Sequence, residues 1–201
     1  MRSLRILMAT LRISIQNQMA YRLDWFTQVA QTIVSMATTI GSLWIVFAHT
    51  DNLAGWNMRE IAALLGVFYI IQGLVGLFLA PSMSRLMTDV RDGTLDFLLV
   101  RPVSAQYYAS IQRFSILRIT DVVIGFGVLG ISLYHLTEII RFTNALSFVL
   151  LLVCGMVILY SVWLALVTMT FWVVRVFNIQ EIIWQAIEAG RYPIDIYPRW
   201  I

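Results

Sequence analysis

The sequence predicts an all-α integral membrane protein with about four transmembrane helices, an N-terminal interfacial helix and a cytoplasmic loop carrying coupling helices. Three observations lead there. Of 201 residues, 60% are hydrophobic and only 12% charged, whereas soluble chains average about 45–50% apolar and about 25% charged. The charges collect in blocks between apolar runs. Three of the four runs exceed the roughly 20 residues that a helix needs to cross a hydrocarbon layer of about 30 Å.

Composition also removes several chemistries. All 14 basic residues are arginine, so the chain holds no P-loop lysine, Schiff-base lysine or lysine base. The single cysteine, Cys154, lies inside an apolar run, and His49 and His135 stand far apart without a carboxylate at ligand spacing. A disulfide framework, a metal centre and a histidine-based catalytic site are therefore not expected, nor is a cofactor in this chain. The net charge of +3 is spread between hydrophobic runs, which makes it a topology signal and not a nucleic-acid footprint.

The elements follow in order. In residues 1–24, Leu4, Leu7, Met8, Leu11 and Ile15 recur at helical spacing while Arg5, Arg12 and Gln16 fall off that stripe. This predicts a helix lying in the inner interface, an ordinary basic lead-in being the other reading. Arg12 and the glutamines after it interrupt any signal-peptide core. Residues 25–50 hold no charge and form the first span, roughly 39 Å long as a helix. The second, 59–80, rests on the charge-free stretch from Ile61 to Ser84 and is expected to stop at Pro81, which has no N–H for the helical ladder.

A cytoplasmic loop, 81–117, comes next and is far longer than a chain reversal needs. Ser82 is expected to cap a helix with Met83, Leu86, Met87 and Val90 on one face and Arg85 and Asp89 on another, and Gly93 to end it. Thr94 is expected to cap a second short helix through Leu95, Phe97, Leu98 and Leu99, closed by Pro102. The third span, 118–137, has a charge-free core of 16 residues and needs Arg118 and Asp121, paired at i and i+3, to reach spanning length. The run from Phe142 to Val174 supplies a tilted fourth span, 144–172, and residues 175–201 are read as a cytoplasmic tail. Arginines count four, one, five, one and three in the successive segments outside the spans. By the positive-inside rule the N-terminus, the loop and the tail are cytoplasmic, and the short connections near Asp51 and Glu138 face outward. Trp25, Trp56 and Trp172 fall near the expected interfaces, where they serve equally as anchors or as packing residues.

The run Arg91-Asp92-Gly93-Thr94-Leu95-Asp96-Phe97-Leu98-Leu99-Val100-Arg101-Pro102-Val103-Ser104, preceded by Ala80-Pro81-Ser82, resembles the cytoplasmic signature of bacterial ABC export permeases of the type-two class. A second stretch, Gly190-Arg191-Tyr192-Pro193-Ile194-Asp195-Ile196-Tyr197-Pro198, is similar to one that a group of these permeases carries after its fourth hydrophobic segment. The resemblance implies a multi-pass protein of the bacterial inner membrane that forms a permease dimer, homo- or heteromeric, and moves a substrate outward by alternating access. It also implies a separate ATP-binding subunit, into whose cleft residues 82–104 would place a coupling helix. The site residues it points to are Arg91, Asp92, Thr94, Leu95, Asp96, Phe97, Leu98 and Arg101, with the charges as polar contacts and the apolar residues as anchor. Such permeases usually have six spans, so the sequence reads as C-terminally short, and an inactive remnant is one alternative.

Along the first span Gln28, Gln31, Thr32, Ser35, Thr38, Thr39 and Ser42 form one polar stripe, fit either for a translocation path or for a helix seam. On the second, Gly66, Tyr69, Gln72, Gly73 and Gly76 point to close helix contact. No charge stands at the centre of an expected span, and Arg118 and Asp121 read as a structural pair at the inner boundary. Energy would then come from the ATP-binding partner. A membrane scaffold or assembly factor that uses the same loop without transport is the rival reading; a membrane enzyme finds no acid–base pair, nucleophile elbow or metal cluster to support it.

Overall fold

The computed structural model describes residues 22–50, 52–100, 104–135, 142–170 and 179–197. The expected interfacial helix at the N-terminus, Arg101, Trp172 and the side chain of Leu98 lie outside the described residues. Helix α1 is Arg22–Phe47, and α2, Met58–Leu74, runs through a π-helical turn, Val75–Leu79, into α3, Ala80–Arg91. Short helices α4, Asp96–Leu99, and α5, Ala105–Ser110, follow, then a 3₁₀ turn, Ile116–Arg118, that leads into α6, Ile119–His135. Helix α7 is Phe142–Met169 and α8 is Ile179–Ala189, with a closing 3₁₀ turn at Ile194–Ile196. Among the described residues, four helical stretches are long and apolar enough to cross a membrane: Trp25–Phe47, Met58–Arg91, Ile116–Tyr134 and Thr143–Met169.

The second of these does not end at Pro81. It continues for 34 residues, roughly 51 Å, because the π turn absorbs the proline. Pro81 has no N–H for the carbonyl four residues back, and its ring would clash with that carbonyl in a regular ladder. The wider turn moves the Leu77 carbonyl aside, and the Ser115 N–H donates to it at 3.1 Å. Ser82 consequently lies inside the helix and caps nothing. Its hydroxyl, fully buried, donates to the Arg113 carbonyl at 2.8 Å and accepts from the Arg113 N–H at 3.3 Å. Both contacts pin the returning chain to the long helix just before α6 begins.

The α2–α6 pair is the centre of the bundle, and glycine sets its closeness. A methyl group on Gly66 would meet the Leu129 backbone nitrogen at 2.7 Å, one on Gly73 the Val122 nitrogen at 2.8 Å, and one on Gly125 the Ile70 nitrogen at 2.7 Å. The backbones touch, as the glycines of the second span led one to expect. Helix α2 is the most enclosed element, with Ile61, Leu65, Phe68, Tyr69 and Ile70 all buried. In contrast α1 and α7 show long apolar faces, including Ile33, Val34, Trp44, Leu150, Leu151 and Val157, which is the surface a lipid layer covers.

The α1–α2 connection is a tight turn with Ala54 and Gly55 both at positive φ, closed by paired backbone hydrogen bonds between Leu53 and Trp56. It holds Trp56 so that its indole N–H donates to Asp195 at 3.0 Å. Tyr192 packs beside the Leu43, Ile61 and Leu65 cluster at the same end. Residues 190–197 therefore stand at the start of the Met58–Arg91 helix, while the 92–112 loop stands at its finish. Sequence reading expected a tail over 175–201; residues 179–197 of it pack along the bundle and end opposite the loop. From Ile179 onward the chain climbs along α2, with Ile183 and Ile187 in the main core and Arg191 5.3 Å from the Phe68 ring centroid. Glu181 and Glu188 on α8 hid this path from a search for charge-free runs.

Candidate functional site

The loop after α3 is built on one carboxylate. Gly93, at φ +68°, ends the helix as expected: its N–H reaches the Val90 carbonyl, and the Thr94 N–H reaches that of Asp89 at 2.9 Å. These are the two hydrogen bonds of a Schellman motif. Asp89 is itself buried and gathers three partners, Arg85 at 2.9 Å, the Thr94 hydroxyl at 3.1 Å and the Gln112 amide at 3.1 Å. A single side chain thus ties both ends of the loop to the helix. Sequence reading paired Asp89 with Arg85 but missed the other two contacts, since Gln112 is 23 residues away.

That arrangement sorts the expected coupling residues. Thr94 turns its hydroxyl back to Asp89 and is no outward-facing cap, while Leu95 is half-buried against the main core. Asp92, Asp96 and Arg91 are exposed, and Phe97 is 76% exposed. Val100, which the sequence reading left out, joins it at 84%. The second helix of the loop reaches only Asp96–Leu99. Helix α5 then folds back onto α7, where Tyr160 lies 2.7 Å from the Ser110 hydroxyl and accepts from Gln106 at 3.3 Å.

The polar stripe on α1 splits along its length. Thr32 and Thr39 are buried, Gln28 is half-buried, and Gln31, Ser35, Thr38 and Ser42 are exposed, although the Ser35 hydroxyl lies 3.4 Å from that of Tyr69. Thr38, Thr39 and Ser42 each donate to a backbone carbonyl one turn back, which satisfies a hydroxyl without a partner helix. Thr32 lies 3.0 Å from the Gln28 carbonyl in the same way and also has a partner across the bundle. Its hydroxyl donates to Asp121 at 2.6 Å, and Arg118 donates to the other oxygen of that carboxylate at 3.1 Å. The Arg118–Asp121 pair exists as expected, with Asp121 only 2% exposed.

Arg118 also borders a cleft of about 390 Å³ lined by Gln72, Arg118, Glu181, Trp184, Gln185 and Glu188. Its guanidinium carbon is 6.0 Å from the Trp184 ring centroid, and Gly76 leaves room for its stem, since a methyl there would meet it at 2.9 Å. Glu188 pairs with Arg191 at 2.8 Å, and Glu181 accepts from Gln185 at 3.4 Å. Because α8 was read as part of a tail, the sequence reading did not set Glu181 and Glu188 beside α2. Here two glutamates and an arginine line one cleft with Gln72, level with the first turn of α6, where Gly73 packs on Asp121 and Val122.

The sequence model of the family described as ABC-2 family transporter protein matches residues 33–201. The chain belongs to the ABC-2 transporter family. The match spans the loop, α8 and the segment packed beneath Trp56, so it covers both stretches that carried the resemblance. This ABC-2 protein is a multi-pass permease component of an ABC system, a membrane transport component whose family implies an ATP-binding partner. A search of curated proteins and one of solved structures each find no match.

Proposed function

We propose that this ABC-2 permease couples to a separate ATP-binding subunit through residues 82–104 and works as one half of a permease dimer that moves its substrate outward across a bacterial inner membrane. In this reading the loop and the start of α1 are cytoplasmic, and the α1–α2 connection with residues 190–197 is external. One observation carries it. At the far end of a 34-residue helix, Asp89 braces a loop that presents Phe97 and Val100 to solvent beside Asp92 and Asp96. Exposed apolar anchors ringed by charge are what a docking element offers a groove in a partner. Bracing matters because a coupling element must transmit motion to α2 and not bend away from it. No intramembrane proton relay is required, since the partner's ATP hydrolysis supplies the energy.

The test is co-purification. The tagged chain, co-expressed with its ATP-binding subunit and extracted in mild detergent, is expected to bring down an ATP-hydrolysing complex. Phe97→Ala should weaken that complex by about 2 kcal/mol, roughly thirtyfold, and Asp96→Arg by reversing a contact charge. Full ATPase recovery with both substitutions present would refute coupling through this loop. A folded chain recovered alone would favour the scaffold.

A further inference from the structure

We propose that the π turn Val75–Leu79 and the 3₁₀ turn Ile116–Arg118 act as one hinge, at which α3, the loop and α5 swing as an arm against the α2–α6 pair. The proposal rests on the coupling reading for what drives the arm, and it names where motion of the loop enters the bundle. The chain passes between pair and arm twice, first through the π turn and then back through the 3₁₀ turn. Neither crossing is α-helical, and the two lie side by side. The Ser115 N–H donates to the Leu77 carbonyl at 3.1 Å, and a methyl group on Gly76 would meet the Arg118 stem at 2.9 Å. An α-helix resists bending because each turn is bonded to the next, and π turns are among the places where long helices give way. Here the Ala80 N–H reaches back five residues to Val75, and Pro81 denies the Leu77 carbonyl a donor from within the helix. The bond that replaces it comes from the other crossing, so bending strains a bond between the two turns and leaves the ladders on either side whole.

On each side of the hinge the structure is stiff. Gly66, Gly73 and Gly125 hold the α2 and α6 backbones in contact, and α1 stays with this pair through Thr32 and Asp121. The arm is closed by the paired contacts of Ser82 with Arg113 and by Asp89 with Gln112. Helix α7 goes with the arm, because Tyr160 meets Ser110 and Gln106 of α5 while Trp163 and Val167 share the core of Met83 and Leu86. Phe68 and Val75 of α2 enter the same core through apolar contact, which is non-directional and lets packed helices slide. The hinge also stands where the long helix leaves the lipid. From Met58, roughly 30 Å of helix, the thickness of the hydrocarbon layer, ends at Phe78, whose exposed ring stacks edge to face on Phe114 at 5.8 Å. The brace at Asp89 keeps the loop from bending on α3, so motion of the loop arrives at the hinge as a turn of the whole arm and tilts α7 against α1, α2 and α6.

The test is the distance between spin labels on the full chain in lipid nanodiscs, read by double electron–electron resonance in a Cys154→Ser background. Thr88→Cys on α3, Val123→Cys on α6 and Val162→Cys on α7 place the labels at exposed positions. Across the hinge, Thr88 with Val123 is expected to give two populations; within the arm, Thr88 with Val162 is expected to give one. Deleting Phe78 together with Pro81→Ala takes out the extra residue of the π turn and restores the missing donor, so that a continuous α-helix keeps α3 in register. In that variant the second population across the hinge should be lost, and a cooperative melting transition would show that it is folded. Pro81→Ala alone, which leaves the chain length unchanged, should shift the balance toward the population that the deletion retains. A single population across the hinge in the parent chain, two within the arm, or a cross-hinge distribution unchanged in either folded variant would overturn the proposal. Because no ATP-binding subunit enters this readout, failure of coupling at Phe97 would leave the hinge standing, and failure here would leave docking at Phe97 untouched.

Discussion

The hydroxyl of Thr32 donates to the carboxylate of Asp121 at 2.6 Å, joining α1 to α6 across 89 residues of sequence. Asp121 is shared between this bond and the Arg118 guanidinium, whose stem lies against Gly76 and whose charge borders the Trp184 ring. Four helices thus meet through one buried carboxylate. Since α1 otherwise presents apolar side chains largely to lipid, this polar tie is a main reason that it sits where it does.

Thr32→Val keeps the shape of the side chain and removes the donor, leaving one Asp121 oxygen without its partner. An unsatisfied buried acceptor costs about 1–3 kcal/mol. The expected result is a lower melting temperature in detergent, with Thr38→Val, on the exposed side of the same helix, close to unchanged.

The glycine contacts between α2 and α6 separate close approach from mere presence of glycine. Gly66→Ala and Gly125→Ala place a methyl within 2.7 Å of a facing backbone nitrogen, and overpacking of that kind costs about 1–3 kcal/mol. Gly127→Ala and Gly130→Ala, on α6 with nothing within 4 Å, should be neutral or slightly stabilising through helix propensity. Thermal unfolding of the four variants checks the contrast; equal losses in all four would mean that the helices do not meet on this face.

Asp89→Ala removes the contacts to Arg85, Thr94 and Gln112 together. Hydrogen bonds to a charged group contribute about 1.5–3 kcal/mol, and here they join both ends of the loop to α3. Limited proteolysis should cut between residues 92 and 112 faster than in the parent chain, by tenfold or more, while the bundle stays folded.

The position of residues 190–197 is testable by labelling from one side of the membrane. In a Cys154→Ser background, an impermeant thiol reagent that reacts with the Asn52→Cys variant should also react with Ile194→Cys, an exposed neighbour of Asp195. Phe97→Cys should react only from the other side. Labelling of Ile194→Cys together with Phe97→Cys would restore the tail to the loop's side.

Much of the architecture was legible because it is local. The apolar runs set the four long helices, the spacing of Arg118 and Asp121 set their pairing, and Gly93 set the end of α3, since a left-handed residue there closes a helix at little cost. Pro81 was misread for a local reason too. Its missing N–H does forbid a regular ladder, but a π turn and the Ser115 N–H supply another solution, and the second partner comes from 38 residues further on. The candidate coupling residues were found as a group, yet their division into a braced half, Thr94 and Leu95, and an exposed half, Asp96 and Phe97, depends on Asp89 and its distant partner Gln112.

Residue order alone fixed which segments are helices, where their polar side chains lie around each axis, and that the protein belongs in a membrane. Which faces meet was decided only in three dimensions. In water an amphipathic stripe marks the inward face, but lipid is as apolar as the core, so hydrophobicity says little about which side of α1 or α7 turns inward. Shape decides instead, through glycine notches on α2 and α6, and so do a few polar ties such as Thr32 to Asp121 and Trp56 to Asp195. The same holds for the cleft. Glu181 and Glu188 looked like surface charges on a short amphipathic helix, and only the packing of Ile183 and Ile187 against the core set them beside Gln72 and Arg118.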